Sequence, residues 1–122
     1  MRRLAGLLML AWCATAAALA PGERVENFRL LDHRGGSQQL HYFSDARAVV
    51  IMVHGNGCPI VRNALPALRE IRDAYQARGV EFLLINSNLQ DDRDAIAAEA
   101  REFGVDLPIM LDSAQIIGES LG

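Results

Sequence analysis

Cys58 is the residue whose neighbours best equip it for covalent chemistry. It follows His54-Gly55-Asn56-Gly57 and precedes Pro59. Proline suits the first position of a helix, where its missing N–H costs nothing, so Cys58 is predicted to be the N-cap. Its sulfur then faces backbone N–H groups that have no partner within the helix. A free thiol titrates near 8.5 and is only about 3% thiolate at pH 7. A helix end stabilises negative charge by about 0.3 to 1 kcal/mol, up to about 2 when partly buried, which is worth about one pKa unit. Arg62, one turn along, and a protonated His54 are two further sources of positive charge. Each has a plainer reading, Arg62 as a solvated surface arginine and His54 as a strand-end histidine satisfied by backbone. For Cys58 the plainer reading is a buried, inert thiol; the Gly-x-Gly before it and the proline after it argue for an exposed turn instead.

Other chemistry is poorly represented. A metal site would need His54 and Cys58 with a third ligand from His33 or His41, and no paired-ligand spacing exists, so neither metal nor cofactor is expected. No catalytic triad, phosphate loop or carboxylate pair stands out. The formal charge of -3, with both signs interspersed, supplies no basic stripe, which argues against nucleic acid as a partner.

The elements that must position Cys58 follow from the apolar pattern. Ala48 to Val53 is six apolar residues without alternation, suited to a strand buried on both faces of a parallel sheet. Beyond the turn, Ile60, Val61, Ala64, Leu65, Leu68, Ile71 and Tyr75 share one helical face, and the helix should end near Gly79. Pro66 inside it removes the hydrogen bond to the Arg62 carbonyl and should bend it. Val80 to Ile85 reads as a second buried strand, followed by the polar loop Asn86-Ser87-Asn88. Asp91, Asp92 and Asp94 favour a helix start; Ile96, Ala100 and Phe103 face inward, and Gly104 stops the helix. Leu107 to Leu111 makes a third strand, and Asp112-Ser113 caps a last helix. Earlier, Gly35-Gly36 between short apolar segments marks a hairpin or a tight reversal at an edge.

Strand and helix alternating in this way give right-handed βαβ units and a parallel sheet with helices on its faces. The C-terminal ends of the strands then share one edge, where ligands sit in open α/β sheets. That edge gathers Cys58 as the candidate catalytic residue. Around it, His54, Gly55, Asn56, Gly57, Pro59, Arg62, Asn86, Ser87 and Asn88 form the candidate substrate or partner edge.

Residues 1 to 20 read as a signal peptide: Arg2-Arg3, an apolar run from Leu4, then small residues to Ala20. This predicts a periplasmic or secreted domain over residues 21 to 122, membrane-anchored only if the leader stays attached. Removing the leader takes Cys13 with it, leaves Cys58 as the single cysteine, and excludes an internal disulfide.

Gly55-Asn56-Gly57-Cys58-Pro59-Ile60-Val61, with Pro66 eight residues past the cysteine, resembles the active-site region of the thioredoxin superfamily. The wider chain is similar to exported redoxins related to alkyl hydroperoxide reductase and thiol-specific antioxidant proteins. The residues that carry this are Phe28-x-Leu30, Asp32-x-x-Gly35, Gly79-Val80-Glu81-Phe82, Ile85-Asn86 and Leu107-Pro108-Ile109-Met110-Leu111-Asp112. The resemblance covers Val25 to Gly122. It implies a thioredoxin-like three-layer α/β/α fold with a mostly parallel central sheet. It also implies two further strands and a helix that would follow Gly122, so the chain reads as an incomplete domain.

Departures from the family pattern shape the functional expectation. Val61 stands where a thioredoxin-type Cys-x-x-Cys has its resolving cysteine. Gly55 and Ile51 stand where a typical peroxiredoxin has threonine and proline. The reading is therefore a thiol-based oxidoreductase or antioxidant redoxin whose single nucleophile, Cys58, acts on a peroxide or a disulfide. An external thiol or protein disulfide reductant would resolve it. The alternative is a non-catalytic thioredoxin-like binding module or an inactive fragment.

Overall fold

The structure is a computed structural model and describes residues 19–122. The expected leader, Cys13 included, lies outside the described residues except for its last two positions. No helix among the described residues is long and apolar enough to cross a membrane.

The chain opens with the predicted hairpin, β1 (Arg29–Leu31) antiparallel to β2 (Ser37–Gln39). Asp32 organises its turn, accepting the N–H groups of Arg34 at 2.8 Å and Gly36 at 2.9 Å and the Gln38 side-chain amide at 2.8 Å. Gly35, at φ 86°, supplies the left-handed step that other residues resist. A 3-10 turn over Leu40–Phe43 then leads to the main sheet.

That sheet has three parallel strands, β3 (Ala48–Val53), β4 (Val80–Asn86) and β5 (Ile109–Leu111), in the order β3-β4-β5. The helices between them are α1 (Pro59–Tyr75) and α2 (Arg93–Glu102). Both crossovers step in the same direction across the sheet, so a common right hand puts both helices on one face. Leu65 and Leu68 of α1 accordingly pack with Ile96 and Ala100 of α2 over Phe82, Leu84 and Ile109. The opposite face, Leu83, Ile85 and Met110, is covered by Phe28, Leu40, Phe43 and Ile117, the last from α3 (Ile116–Leu121).

Three expectations need correction. The uninterrupted apolar run of β3 is not buried on both faces: β3 bonds only to β4, and Val50 and Val53 are 39% and 70% exposed. The doubly covered strand is β4, which has a neighbour on each side. The apolar face of α1 is also wider than the floor beneath it, because three strands cover only Leu65 and Leu68 and leave Ile60, Ile71 and Tyr75 exposed. The third strand starts at Ile109 rather than Leu107, since Pro108 has no N–H and contributes only its carbonyl, to the Leu84 N–H at 2.9 Å.

Local signals set the remaining boundaries. Pro59 begins α1 with Cys58 as N-cap, and Gly79, at φ 82°, ends the 3-10 turn that continues it. Asp92 caps α2 by accepting the Ala95 N–H at 2.8 Å. Buried Asp112 accepts the N–H groups of Ile117 at 3.3 Å and Gly118 at 2.7 Å and so caps α3 from outside it.

Candidate functional site

The C-terminal ends of β3, β4 and β5 converge as predicted, and the loop after β3 carries Cys58 there, half-buried and with a free thiol. Its side chain forms no capping bond. The first turn of α1 leaves two donors without partners: Pro59 has no N–H and Arg62 donates to the Cys58 carbonyl at 3.1 Å, so the Ile60 and Val61 amides remain. They are the positive end of a 17-residue helix that Cys58 precedes.

Two carboxylates hold the turn before the cysteine. The Asn56 N–H donates to Asp91 Oδ2 at 3.0 Å, and the Gly57 N–H to Glu99 Oε2 at 2.7 Å. Gly57 takes φ 71°, a left-handed conformation that glycine adopts freely. At Gly55 a side chain would crowd the Asn88 amide nitrogen, which lies 3.0 Å from where a Cβ would stand. The conformation of the turn thus favours glycine at 57, and a side chain at 55 would have to displace the Asn88 amide.

Asp91 is a junction. Besides the Asn56 N–H it accepts Asn86 Nδ2 and Asn88 Nδ2, each at 2.9 Å, while Asn86 Oδ1 accepts the Asn88 N–H at 2.9 Å. Burial pushes the Asp91 carboxyl up, but the bonds from Asn86, Asn88 and Asn56 together outweigh it and hold it below the usual aspartate value. Asn86, Ser87 and Asn88 of the expected edge thus also bond inward, Ser87 and Asn88 remaining half-buried. Asn86 is 2% exposed, and Ser87 Oγ donates to Asp112 Oδ2 at 2.9 Å.

His54 is 2% exposed and its backbone N–H donates to the Ile85 carbonyl at 2.7 Å. Asn86 Nδ2 lies 3.4 Å from His54 Nδ1, an arrangement in which Nδ1 is the acceptor and the ring is neutral. Burial pushes the imidazole below its ordinary value, against the opposing pull of Glu99 and Asp91. The structure therefore gives His54 the plainer role, without the positive charge considered for it.

Arg62 is part-exposed, its side chain 38% accessible, but it is not a free cation beside the sulfur. Its Nε and Nη2 face Glu99 Oε1 and Oε2 at 3.4 and 3.3 Å, and its guanidinium carbon lies 4.5 Å from the centre of the Phe103 ring. The distances to Glu99 are long for hydrogen bonds; charge and stacking fix the group more than directional bonding does.

Asp91, Glu99 and Phe103 were not among the predicted site residues. Asp91 is legible in sequence only as a helix-starting acid, and Phe103 only as a core residue. Glu99 lies 42 positions from Gly57 and carries no local signal at all.

Comparison with known proteins places this fold. Residues 20–122 match the Redoxin family, and a search of curated proteins finds no match. A hypothetical protein from Sinorhizobium meliloti superposes with a TM-score of 0.76 at 26% identity, over 87% of this chain and 61% of its own. An uncharacterised conserved protein from Geobacillus kaustophilus gives 0.72 at 28% identity, over 82% and 56%. The chain thus spans about three-fifths of the length of these structures. A secreted Mycobacterium tuberculosis disulfide oxidoreductase, described as homologous to E. coli DsbE, gives 0.59 at 16% identity, over 74% and 63%, a likeness of fold. With its thioredoxin-like sheet and helices and a match over nearly its whole length, the chain belongs to the Redoxin family.

Proposed function

We propose that this protein is a thiol-dependent oxidoreductase in which Cys58 is the sole nucleophile and an external thiol or protein disulfide reductant resolves the oxidised form. The observation that carries the reading is the placing of Cys58. It is half-exposed at the start of α1, next to the unpartnered Ile60 and Val61 amides, on a turn pinned through Asn56 and Gly57. A helix N-terminus is a favourable place for an anionic nucleophile, and pinning the turn limits the reorganisation that attack requires. Val61, which stands where a Cys-x-x-Cys has its resolving cysteine, cannot resolve the oxidised sulfur, and this favours a second thiol supplied by another molecule. Cys58-Pro59 and the order of motifs along the chain support a place near the alkyl hydroperoxide reductase and thiol-specific antioxidant branch. The pattern of residues 1 to 20 supports export, with 21 to 122 as the working domain.

The test is intact-mass and peptide-mass spectrometry of the full chain after exposure to hydrogen peroxide or an uncharged disulfide, followed by glutathione. The expected result is an adduct or sulfenic acid mapped to Cys58, removed by glutathione and lost in Cys58→Ser. A Cys58 that reacts with neither oxidant faster than free cysteine would overturn the proposal and leave a non-catalytic module.

A further inference from the structure

The same contacts that pin the turn also discriminate between electrophiles. A thiolate attacking a peroxide must expel an oxygen whose conjugate acid, water, has a pKa of about 15.7. One attacking a disulfide expels a thiolate of pKa about 8.5. The first departure needs hydrogen-bond donors or a cation aimed at the leaving atom; the second proceeds without them. Next to Cys58 the available donors are the Asn56 and Gly57 N–H groups and the Arg62 guanidinium. The two backbone donors are committed, Asn56 to Asp91 and Gly57 to Glu99, and the Nε–Nη2 edge of Arg62 is drawn toward Glu99 by charge, its side chain 38% exposed. Glu99 is only 13% exposed in its side chain, so water does not compete strongly for it. The Ile60 and Val61 amides remain, at the helix end that supports the attacking sulfur.

We infer that Asp91 and Glu99 are positioning residues that select a disulfide over a peroxide as the electrophile for Cys58, by withholding the donors that a departing oxygen requires. This rests on the proposed role of Cys58 as nucleophile. The Cys58 thiolate attacks one sulfur of R–S–S–R′, forming Cys58–S–S–R and releasing R′–S⁻, which takes a proton from water. The thiolate of an external thiol, R″–S⁻, then attacks the R sulfur, forming R″–S–S–R and returning the Cys58 thiolate. The R′ half of the substrate leaves as a thiol and the external thiol takes its place in the disulfide R″–S–S–R; a second equivalent of the external thiol would release R.

The experiment compares second-order rate constants for hydrogen peroxide and bis(2-hydroxyethyl) disulfide, both uncharged, with Cys58 in the full chain. Peptide mass spectrometry follows Cys58, and free cysteine at the same pH gives the reference ratio. Changes in thiolate fraction affect both reactions alike and cancel in the ratio, and a mere loosening of the turn favours the bulkier disulfide and so lowers the ratio. Opening the donors does not cancel. The peroxide-to-disulfide ratio should lie about tenfold or more below that of free cysteine. It should rise several-fold in Glu99→Ala, which releases Gly57 and Arg62, and less in Glu99→Gln, which keeps a neutral acceptor. If Glu99→Ala fails to fold, the wild-type ratio and Glu99→Gln still decide. A wild-type ratio at or above that of free cysteine, or a ratio unmoved by the substitutions, overturns this inference while leaving Cys58 a nucleophile. Unreactivity toward both reagents overturns the nucleophile itself.

Discussion

Two of the three histidines are built into the fold as neutral rings. His33 is 7% exposed, and its Nδ1 accepts the Ile109 N–H at 3.2 Å, a bond that a proton on Nδ1 would break. Burial and then Arg34 push this ring below its ordinary value, with Arg93 adding to the effect and Asp32 and the Ile109 bond opposing it. His54 is depressed by burial, against Glu99 and Asp91. Both rings therefore hold a proton less tightly folded than unfolded. As pH falls below the unfolded value of about 6.5, the unfolded chain takes up protons first and stability declines, by at most about 1.4 kcal/mol per pH unit for each ring. A second loss begins below about 3.8, where Asp32 and Asp91, both depressed in the fold, are protonated first in the unfolded chain. Urea denaturation of the full chain should thus show a midpoint nearly flat from pH 8 to 7 and falling from 6.5 to 5. Because asparagine oxygen can replace Nδ1 as acceptor, His33→Asn with His54→Asn should flatten that fall. An unchanged slope in the double variant would show that other groups carry it.

At the scale of elements, α1 joins the sheet to the site, and Pro66 lies exposed within it. The helix continues through this residue although the Arg62 carbonyl loses its usual donor. Proline in a helix interior costs about 3 kcal/mol relative to alanine, of which its stiffening of the unfolded chain returns about 0.4 to 1. Pro66→Ala should therefore stabilise the protein by about 2 kcal/mol and increase its helical circular dichroism; a lower denaturation midpoint would mean that the proline ring is held by packing worth more than the missing bond. Such effects are legible in sequence because they are local. Pro59, Gly79, Asp92 and Gly104 each mark a boundary through their own backbone or side chain, and the helix ends followed directly. What a strand or a carboxylate meets across space is not local. The composition of β3 is that of a buried strand, but burial depends on the number of neighbours, which six residues do not encode. The convergence of His54, Cys58 and Asn86 was legible because topology alone requires it. The Glu99 contacts were not, because they depend on how α2 lies against the loop.

At the scale of the whole molecule, the sheet has unequal edges. The β5 side is closed in part by the hairpin, through the bridge between Asp32 and Met110 and the paired bonds of His33 with Ile109. The β3 side has no such cover among the described residues. Its strand, Ala48 to Val53, has neither a charge nor a proline along six residues, and both devices commonly stop edge strands from pairing with another chain. Exposed Ile71 and Tyr75 of α1 add to the apolar surface of the molecule. This chain should accordingly self-associate through β3 as concentration rises, seen in sedimentation velocity as a weight-average coefficient that grows from micromolar to hundreds of micromolar protein. Val50→Lys places one charge on the strand at a position already 39% exposed, so its cost to the fold should be small. It should hold the coefficient at the monomer value, with an unchanged far-ultraviolet spectrum showing that the fold persists. Wild-type protein that stays monomeric over that range, or a Val50→Lys variant that associates equally, would show that backbone pairing at this edge does not govern association.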